Sequence, residues 1–456
     1  MESELRKQSI NIGHWPILVS SAGKSRCARR LPRGVFEMVC IELRPAPKWG
    51  EEGLYHRVIS PEQTFQRIRP LMRLIEVTRV ADLTGLSRVG IPVLAAVRPC
   101  ADSPGVDTHY GKGLTKIDAS VSAMMEAVER YSAERLNCRP VRGVFEEIAR
   151  NDRALDPHLM YLYSEKPFND RISLEWVSAT ELLGVDEIMV PANFVCSPYS
   201  GRGAEYWFQS TNGLASGNIL EEAVCHALAE MIERDSLTLA TAREFPELVR
   251  MSPLQAIKFQ LPRIFGKRKT SCIDVDLENL PSPLEGLVGK IQKAGLRFWL
   301  KDITSDLGIA AFAAAVLRPG ESLAPVVGFG TDPNARVAAI RAINEAALNR
   351  MIQLLTQVTR FGLPNKPRWW WTDTPRTKSF DDIPSYENDD ILNDINLMLA
   401  RLRDSGLSHV IAVDLTQKTL GIPVARVIVP ELECWCLTNF SPDKQRVGPR
   451  MRRLFE

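Results

Sequence analysis

A chain of 456 residues, 45% hydrophobic and 25% charged, is long enough to bury a large core and has the balance of a globular protein, which excludes disordered and fibrous classes. Its formal net charge of +2 gives no broad field of one sign, so composition offers no case for nucleic acid or an anionic membrane as partner. The nine cysteines are odd in number and form no Cys-x-x-Cys pair, which argues against a disulfide framework and a zinc ribbon.

Residues 1–53 read as a basic N-terminal extension, with Lys24, Arg26, Arg29, Arg30 and Arg33 set among Ser, Pro and Gly and no sustained period. Gly23-Lys24-Ser25 looks like the end of a phosphate-binding loop, but the first glycine of that motif would fall at Leu18, so the reading fails. The mixed-charge start, Glu2, Glu4, Arg6 and Lys7, does not read as a signal peptide. The longest apolar run, Gly308 to Leu317, is about half the roughly 20 residues a spanning helix needs, so a cytoplasmic address is expected.

Residues 54–456 read as one domain. Ser60-Pro61-Glu62 supplies an N-cap, a proline at the first helical position and an acidic first turn before the spacing Phe65, Ile68, Leu71, Met72, Ile75. Ile91 to Val97 reads as a buried strand, and the Gly111-Lys112-Gly113 turn leads to a helix starting near Asp118 or Ala119. The order returns with a strand at Tyr206 to Ser210, a turn-rich loop at Thr211 to Gly217 and a helix from about Ile219 to Leu239. Strands at Phe298 to Ile303 and Ile309 to Val316, a loop at Gly328-Phe329-Gly330 and a helix from about Ala335 to Leu355 follow. Val410 to Leu415 and Val424 to Val429 close the chain as strands, and the mixture favours an α+β (mixed α/β) fold.

The informative residues are carboxylates. A helix turns about 100° per residue, so Ser122, Glu126 and Glu129 share one face, and Asn218, Glu222, His226, Glu230 and Glu233 share another. The segments Ser122-Ala-Met-Met-Glu-Ala-Val-Glu-Arg-Tyr-Ser132 and His226-Ala-Leu-Ala-Glu-Met-Ile-Glu-Arg-Asp-Ser236 also match each other, with Glu126, Glu129 and Arg130 recurring as Glu230, Glu233 and Arg234. One Glu-x-x-Glu-Arg alone reads as a solvated face. Here the flanks are apolar or small, so both helices are expected between layers, where facing carboxylates repel by roughly 4 kcal/mol per pair at 4 Å and an effective dielectric of 20. A divalent cation offsets that charge, and magnesium binds through a few carboxylates, waters and phosphate oxygens.

At these residues the chain resembles the YcaO superfamily, whose ATP site uses a Ser-x3-Glu-x2-Glu-Arg helix, an Asn-x3-Glu-x7-Glu-x2-Glu-Arg helix and a later helix with glutamate and arginine. The resemblance extends through Thr84 to Pro92, Arg98-Pro99, Gly111-Lys-Gly113, Asn212 to Gly217 and Val429-Pro430-Glu-Leu-Glu433. The phrasing looks like the stand-alone branch associated with TfuA-type partners, for which thioamide formation is the implied chemistry. The resemblance implies that Ser122, Glu126, Glu129, Asn218, Glu222, Glu230 and Glu233 hold ATP and its Mg2+ ions, with Glu126, Glu129, Glu230 and Glu233 as the metal-binding and catalytic set. It implies support from Arg130 and Arg234, from Arg57 and Lys112 in the early basic position and the Gly-Lys-Gly loop, and from Glu345 and Arg350 of the third helix. Two departures stand out: Leu348 occupies a position that reads Gln in relatives, and the loop Gly328 to Pro333 lacks a histidine. The C-terminus also lacks a proline-rich tail, which weakens an azoline-forming reading.

The implied chemistry is phosphorylation of a backbone amide in a precursor peptide or protein, with sulfur delivered by a TfuA-like partner. Azoline formation from Cys, Ser or Thr, and a non-catalytic scaffold that recruits a peptide, are the alternatives. His226 reads as a packed or supporting residue, and Cys434 and Cys436 as ordinary thiols. Trp369-Trp370-Trp371 reads equally as a peptide-docking surface or as the interface of a homodimer.

Overall fold

The computed structural model describes residues 40–50, 56–102, 106–160, 166, 168–244, 272–320, 325–356, 372–374, 376–434 and 448–455. Trp369-Trp370-Trp371, Cys436 and most of the basic extension lie outside them. Among the described residues no helix is long and apolar enough to cross a membrane.

Helix α1 (Pro61–Ile68) opens on a reciprocal cap: Gln63 N donates to Ser60 Oγ at 3.2 Å and Ser60 N donates to Gln63 Oε1 at 3.0 Å. Strands β1 (Arg79–Asp82), β2 (Val93–Val97) and β3 (Thr108–Lys112) form an antiparallel sheet, crossed by α2 (Lys116–Ala133). Thr115 caps α2 with Asp118 in the reciprocal position, so the helix starts slightly before the expected residue.

The second unit contains β4 (Val141–Gly143), α3 (Phe145–Asn151), β5 (Leu174–Glu181), β6 (Asp186–Pro191), β7 (Leu214–Ser216) and the 25-residue α4 (Leu220–Glu244). The third contains β8 (Ile273–Val275), α5 (Leu284–Lys293), β9 (Arg297–Asp302), β10 (Ala311–Leu317), β11 (Val326–Thr331) and α6 (Ala335–Thr356). After β12 (Thr377–Lys378) and α7 (Ile391–Asp404), the chain returns to the second sheet with β13 (Ile411–Asp414) and β14 (Val424–Ile428), and α8 (Pro449–Phe455) follows. The second sheet runs β4-β5-β13-β14-β7 with β6 on β5, and the third runs β11-β10-β9-β8-β12. This is an α+β architecture.

Each long helix is shared between its own sheet and the next. Helix α2 packs on β3 and also touches β7, α4 packs on β14 and β7 and also touches β11, and α6 packs on β11 and also touches β3. The three helices are thereby drawn round a common centre. Small residues make the approach possible: Ala119, Ala123 and Ala127, four apart, are fully buried, and a Cβ at Gly111 of β3 would lie 2.1 Å from Ala123 N. Strand β10 is buried on both faces, Phe312, Ala314 and Val316 joining α5 and α6 while Ala311, Ala313 and Ala315 join Leu237 and Ala240 of α4.

Two expectations are corrected. Tyr206 to Ser210 is not a strand, because Trp207 packs its ring against Phe168 and Phe194 at centroid distances of 4.8 and 4.9 Å; the strand, β7, lies inside the segment expected to be loop. Gly328-Phe329-Gly330 is not a loop but part of β11, where a Cβ at Gly328 would fall 2.1 Å from Ala346 N, so glycine serves strand–helix contact and not a turn.

Residues 40–50 lie against the domain. Ile41 N donates to Thr180 Oγ1 at 2.8 Å, Ile391 N donates to Ala46 O at 2.9 Å, and Lys48 Nζ meets Asp394 Oδ2 at 2.6 Å with both side chains buried.

Candidate active site

The glutamates of α2, α4 and α6 are fixed by neighbours from other elements. On α2, Glu126 Oε1 accepts from Arg130 Nε at 2.9 Å, and Ser122 lies one turn earlier, half-buried. Glu129 reaches β7, where its Oε1 accepts from Ser216 N at 2.9 Å and from Ser216 Oγ at 2.7 Å. On α4, Glu230 Oε2 accepts from Gly213 N at 3.0 Å and its Oε1 from Arg234 at 2.8 Å, while Arg234 also lies 3.7 Å from Glu233. On α6, Glu345 accepts from Lys112 Nζ, at the end of β3, at 2.5 Å.

Asn218 lies two residues before α4 and Glu222 in its first turn. Glu222 accepts from Asn218 N at 2.8 Å, from Asn218 Nδ2 at 3.1 Å and from Val58 N at 2.7 Å, and Arg57 Nε stands 3.7 Å away. Arg350 is the exception among the expected residues. Five positions from Glu345 it lies about 140° round the helix, and it is buried with its Nη1 donating to Gln353 at 2.8 Å. Leu348 packs in an apolar cluster with Leu83, Val93 and Met351.

The carboxylates of the three helices feel one another. Burial pushes the Glu129 carboxyl well above its usual range, and Glu126 and Glu230 add to the shift. Burial also raises Glu233, to about 7, against the pull of Arg234 and with reinforcement from Glu345 and Glu230. Glu126 moves the other way: burial pushes it up, but Arg130, with His109 and Glu129 adding, pulls it below its usual range. Side-chain exposures of 22% for Glu230, 20% for Glu345 and 34% for Glu126 show that these groups face an opening and not a sealed core.

A basic rim adjoins this acidic centre. Burial holds His226 well below its usual range, and Arg341, Arg57 and Lys112 push it further, so the imidazole is neutral amid three cations. Three residues here were not singled out from sequence. Arg341 lies one turn before Glu345 and pairs with Asp332 at 3.2 Å, a spacing that could have flagged it. His109 of β3 is buried in the field of Glu126. Arg426 of β14 is buried in the field of Glu230, and a lone arginine inside an apolar strand was its available signal.

Among the described residues no three His, Cys, Asp or Glu side chains already form a metal cage. The donor set nevertheless suits Mg2+, which takes few protein ligands and keeps waters. It is all oxygen, and the buried Asn218 Oδ1 has no hydrogen-bond partner.

Comparison with known proteins gives the family. The family model described as YcaO cyclodehydratase, ATP- and Mg2+-binding, matches residues 110–433. An uncharacterised protein of Methanothermobacter thermautotrophicus is 36% identical over 417 residues, covering 88% of this chain and 99% of its own length. An uncharacterised protein in the tfuA 3′ region of Rhizobium leguminosarum bv. trifolii is 32% identical, covering 83% and 89%. The structure of YcaO from Methanopyrus kandleri bound with AMPPCP and Mg2+ superposes with a TM-score of 0.66 and 26% identity, over 88% of this chain and 97% of that one. A heterocyclase in complex with substrate and cofactor shares the fold, with a TM-score of 0.70 at 22% identity, over 90% of this chain, which spans 59% of its length. This chain belongs to the YcaO cyclodehydratase family, whose members bind ATP and Mg2+.

Proposed function

We propose that the protein uses ATP to activate a backbone amide of a ribosomally made peptide or protein, so that sulfur replaces the carbonyl oxygen and a thioamide forms. The observation that carries the sulfur assignment is the 32% identical relative in a tfuA 3′ region. A TfuA-like protein is the corresponding sulfur-delivery partner.

An amide oxygen is a poor leaving group. In this reading a sulfur nucleophile adds to the carbonyl carbon, the oxyanion takes the γ-phosphoryl group of ATP, and phosphate leaves. With hydrosulfide the balance is amide plus HS− plus ATP giving thioamide, ADP and hydrogen phosphate.

Ser122, Glu126, Glu129, Asn218, Glu222, Glu230, Glu233 and Glu345 are the residues that would hold ATP and its Mg2+. The metal, when bound, supplies charge neutralisation at the transferring phosphoryl group. Arg57, Lys112 and Arg341 form the cationic rim suited to phosphate oxygens, and neutral His226 adds no charge there. Arg130 and Arg234 orient Glu126 and Glu230 through their 2.9 and 2.8 Å contacts. Catalysis here is positioning and electrostatics, with no covalent protein nucleophile.

The family description as a cyclodehydratase favours a second reading, in which the nucleophile is a Cys, Ser or Thr side chain of the peptide. Intact mass separates the two. The protein is co-expressed with the TfuA-like protein and a target polypeptide encoded beside it. A gain of about 16 Da, as sulfur-for-oxygen exchange on activated phosphoryl chemistry requires, supports thioamidation; a loss of about 18 Da assigns azoline formation, and an unchanged mass removes both.

A further inference from the structure

Arg426 is a buried cation with, among the described residues, no carboxylate in direct contact, Glu230 acting on it only through its field. The residue is 6% exposed in the middle of β14, and among the described residues it makes no ion pair. Two of its nitrogens are capped by carbonyls, Nε donating to Phe194 O at 3.1 Å and Nη2 to Ser210 O at 2.8 Å, while the buried Nη1 has no partner. Burying a charge with no contact partner and an unused donor is costly, so the arrangement favours a ligand that supplies an acceptor and negative charge. Burial also draws its proton affinity down, to a pKa of about 10, with Glu230 opposing and Arg130 adding to the shift. It remains protonated at neutral pH.

The guanidinium lines an open-mouthed cleft whose walls include Phe194, Trp207, Phe208, Met231 and Leu432. Asn212 and Met231 also line it, and they flank Gly213 and Glu230, which are joined by the 3.0 Å hydrogen bond from Gly213 N to Glu230 Oε2. The apolar cleft and the carboxylate centre therefore share one wall. A neutral, partly apolar backbone segment fits the cleft, and the part of it that turns anionic would meet Arg426 beside the phosphoryl donor.

We propose that this cleft holds the backbone amide to be modified and that Arg426 donates from Nη1 to its carbonyl oxygen, stabilising the oxyanion formed when the nucleophile adds. The inference rests on the reading that ATP activates an amide, and it holds for an external sulfur or a side-chain nucleophile. The nucleophile's lone pair forms the new bond to carbon, and the C=O π pair moves to oxygen. That oxygen then bonds to the γ-phosphorus as the β–γ bridging P–O bond breaks and ADP leaves. The role is that of an oxyanion donor preorganised in a desolvated site.

The test uses the full-length protein with its modified polypeptide. Arg426→Gln should lower kcat for peptide modification by about 100- to 1000-fold, the loss typical of one oxyanion donor, and Arg426→Lys should recover at least about tenfold of it. The affinity for AMPPCP, measured by calorimetry, should stay within about threefold of wild type in both variants. Phe208→Ala, at a half-exposed wall of the cleft, should raise KM for the peptide by about tenfold without changing AMPPCP affinity. Arg426→Gln with near wild-type kcat overturns the proposal. So does loss of AMPPCP binding in that variant, which would make Arg426 a nucleotide residue. If the Arg426 variants do not fold, an unchanged peptide KM in Phe208→Ala overturns it. A wild-type protein that modifies no peptide would refute the proposed function instead.

Discussion

Lys112 donates to Glu345 at 2.5 Å although 233 residues separate them, so the end of β3 and the middle of α6 are tied together beside the carboxylate cluster. The contact fixes a lysine that the sequence suggested lay in a Gly111-Lys112-Gly113 turn and that the structure places as the last residue of β3; its side chain is 27% exposed and its partner 20%. The pair is part-buried at the edge of the carboxylate cluster, where a lysine ammonium can serve a phosphate oxygen as well as its glutamate.

Lys112→Met should therefore weaken AMPPCP binding by about tenfold, the loss of one charge-assisted contact of about 1.5 kcal/mol, with a melting temperature within a few degrees of wild type. Calorimetry and a thermal melt decide it. Unchanged affinity would confine Lys112 to its pairing with Glu345.

Gly328→Ala should lower the unfolding free energy by about 1–3 kcal/mol, because the new methyl group meets the α6 backbone at Ala346 and the helix has to shift. Gly286 lies in α5 with open space around an added Cβ, so Gly286→Ala should stabilise by about 0.5–1 kcal/mol. Urea titrations of the two variants should move in opposite directions; a Gly328→Ala variant as stable as wild type would contradict the close strand–helix contact.

His109 supplies a pH dependence. Burial, with Arg98 adding and Glu126 opposing, lowers its pKa from 6.5 to about 4, so folding keeps the imidazole neutral. The unfolded chain takes up the proton first, and stability is full above about pH 6.5 and falls as the pH drops toward 4. Relative to His109→Asn, the wild type should lose about 2–3 kcal/mol between pH 7 and pH 4.5. A pH-independent difference between the two proteins in urea unfolding would refute the burial of a neutral His109.

The helices and their glutamates were legible because the signals are local. Ser60 and Thr115 caps, the 3.6 period and the recurrence of Glu126-Ala-Val-Glu129-Arg130 as Glu230-Met-Ile-Glu233-Arg234 all sit within single elements. The three-way sharing of helices between sheets was not legible, since it depends on contacts between units far apart in sequence. Gly328-Phe329-Gly330 misled because glycine marks both turns and close backbone approach, and only the position of Ala346 tells the two apart. Arg350 stands beside Glu345 in a motif but about 140° away round the helix. Arg426 was hidden for the opposite reason: its role depends on the cleft formed by Phe194, Trp207 and Met231, none of which is its neighbour in sequence.

The most direct test is calorimetric titration of the Mg2+–AMPPCP complex into the wild type and into a Glu230→Gln, Glu233→Gln double variant, each repeated with the metal chelated. If the converging helices form a magnesium–nucleotide site, wild type binds saturably only with Mg2+ present, and the double variant loses at least about 100-fold in affinity while keeping its fold by circular dichroism. Equal binding by both proteins, or wild-type binding that ignores the chelator, would contradict it.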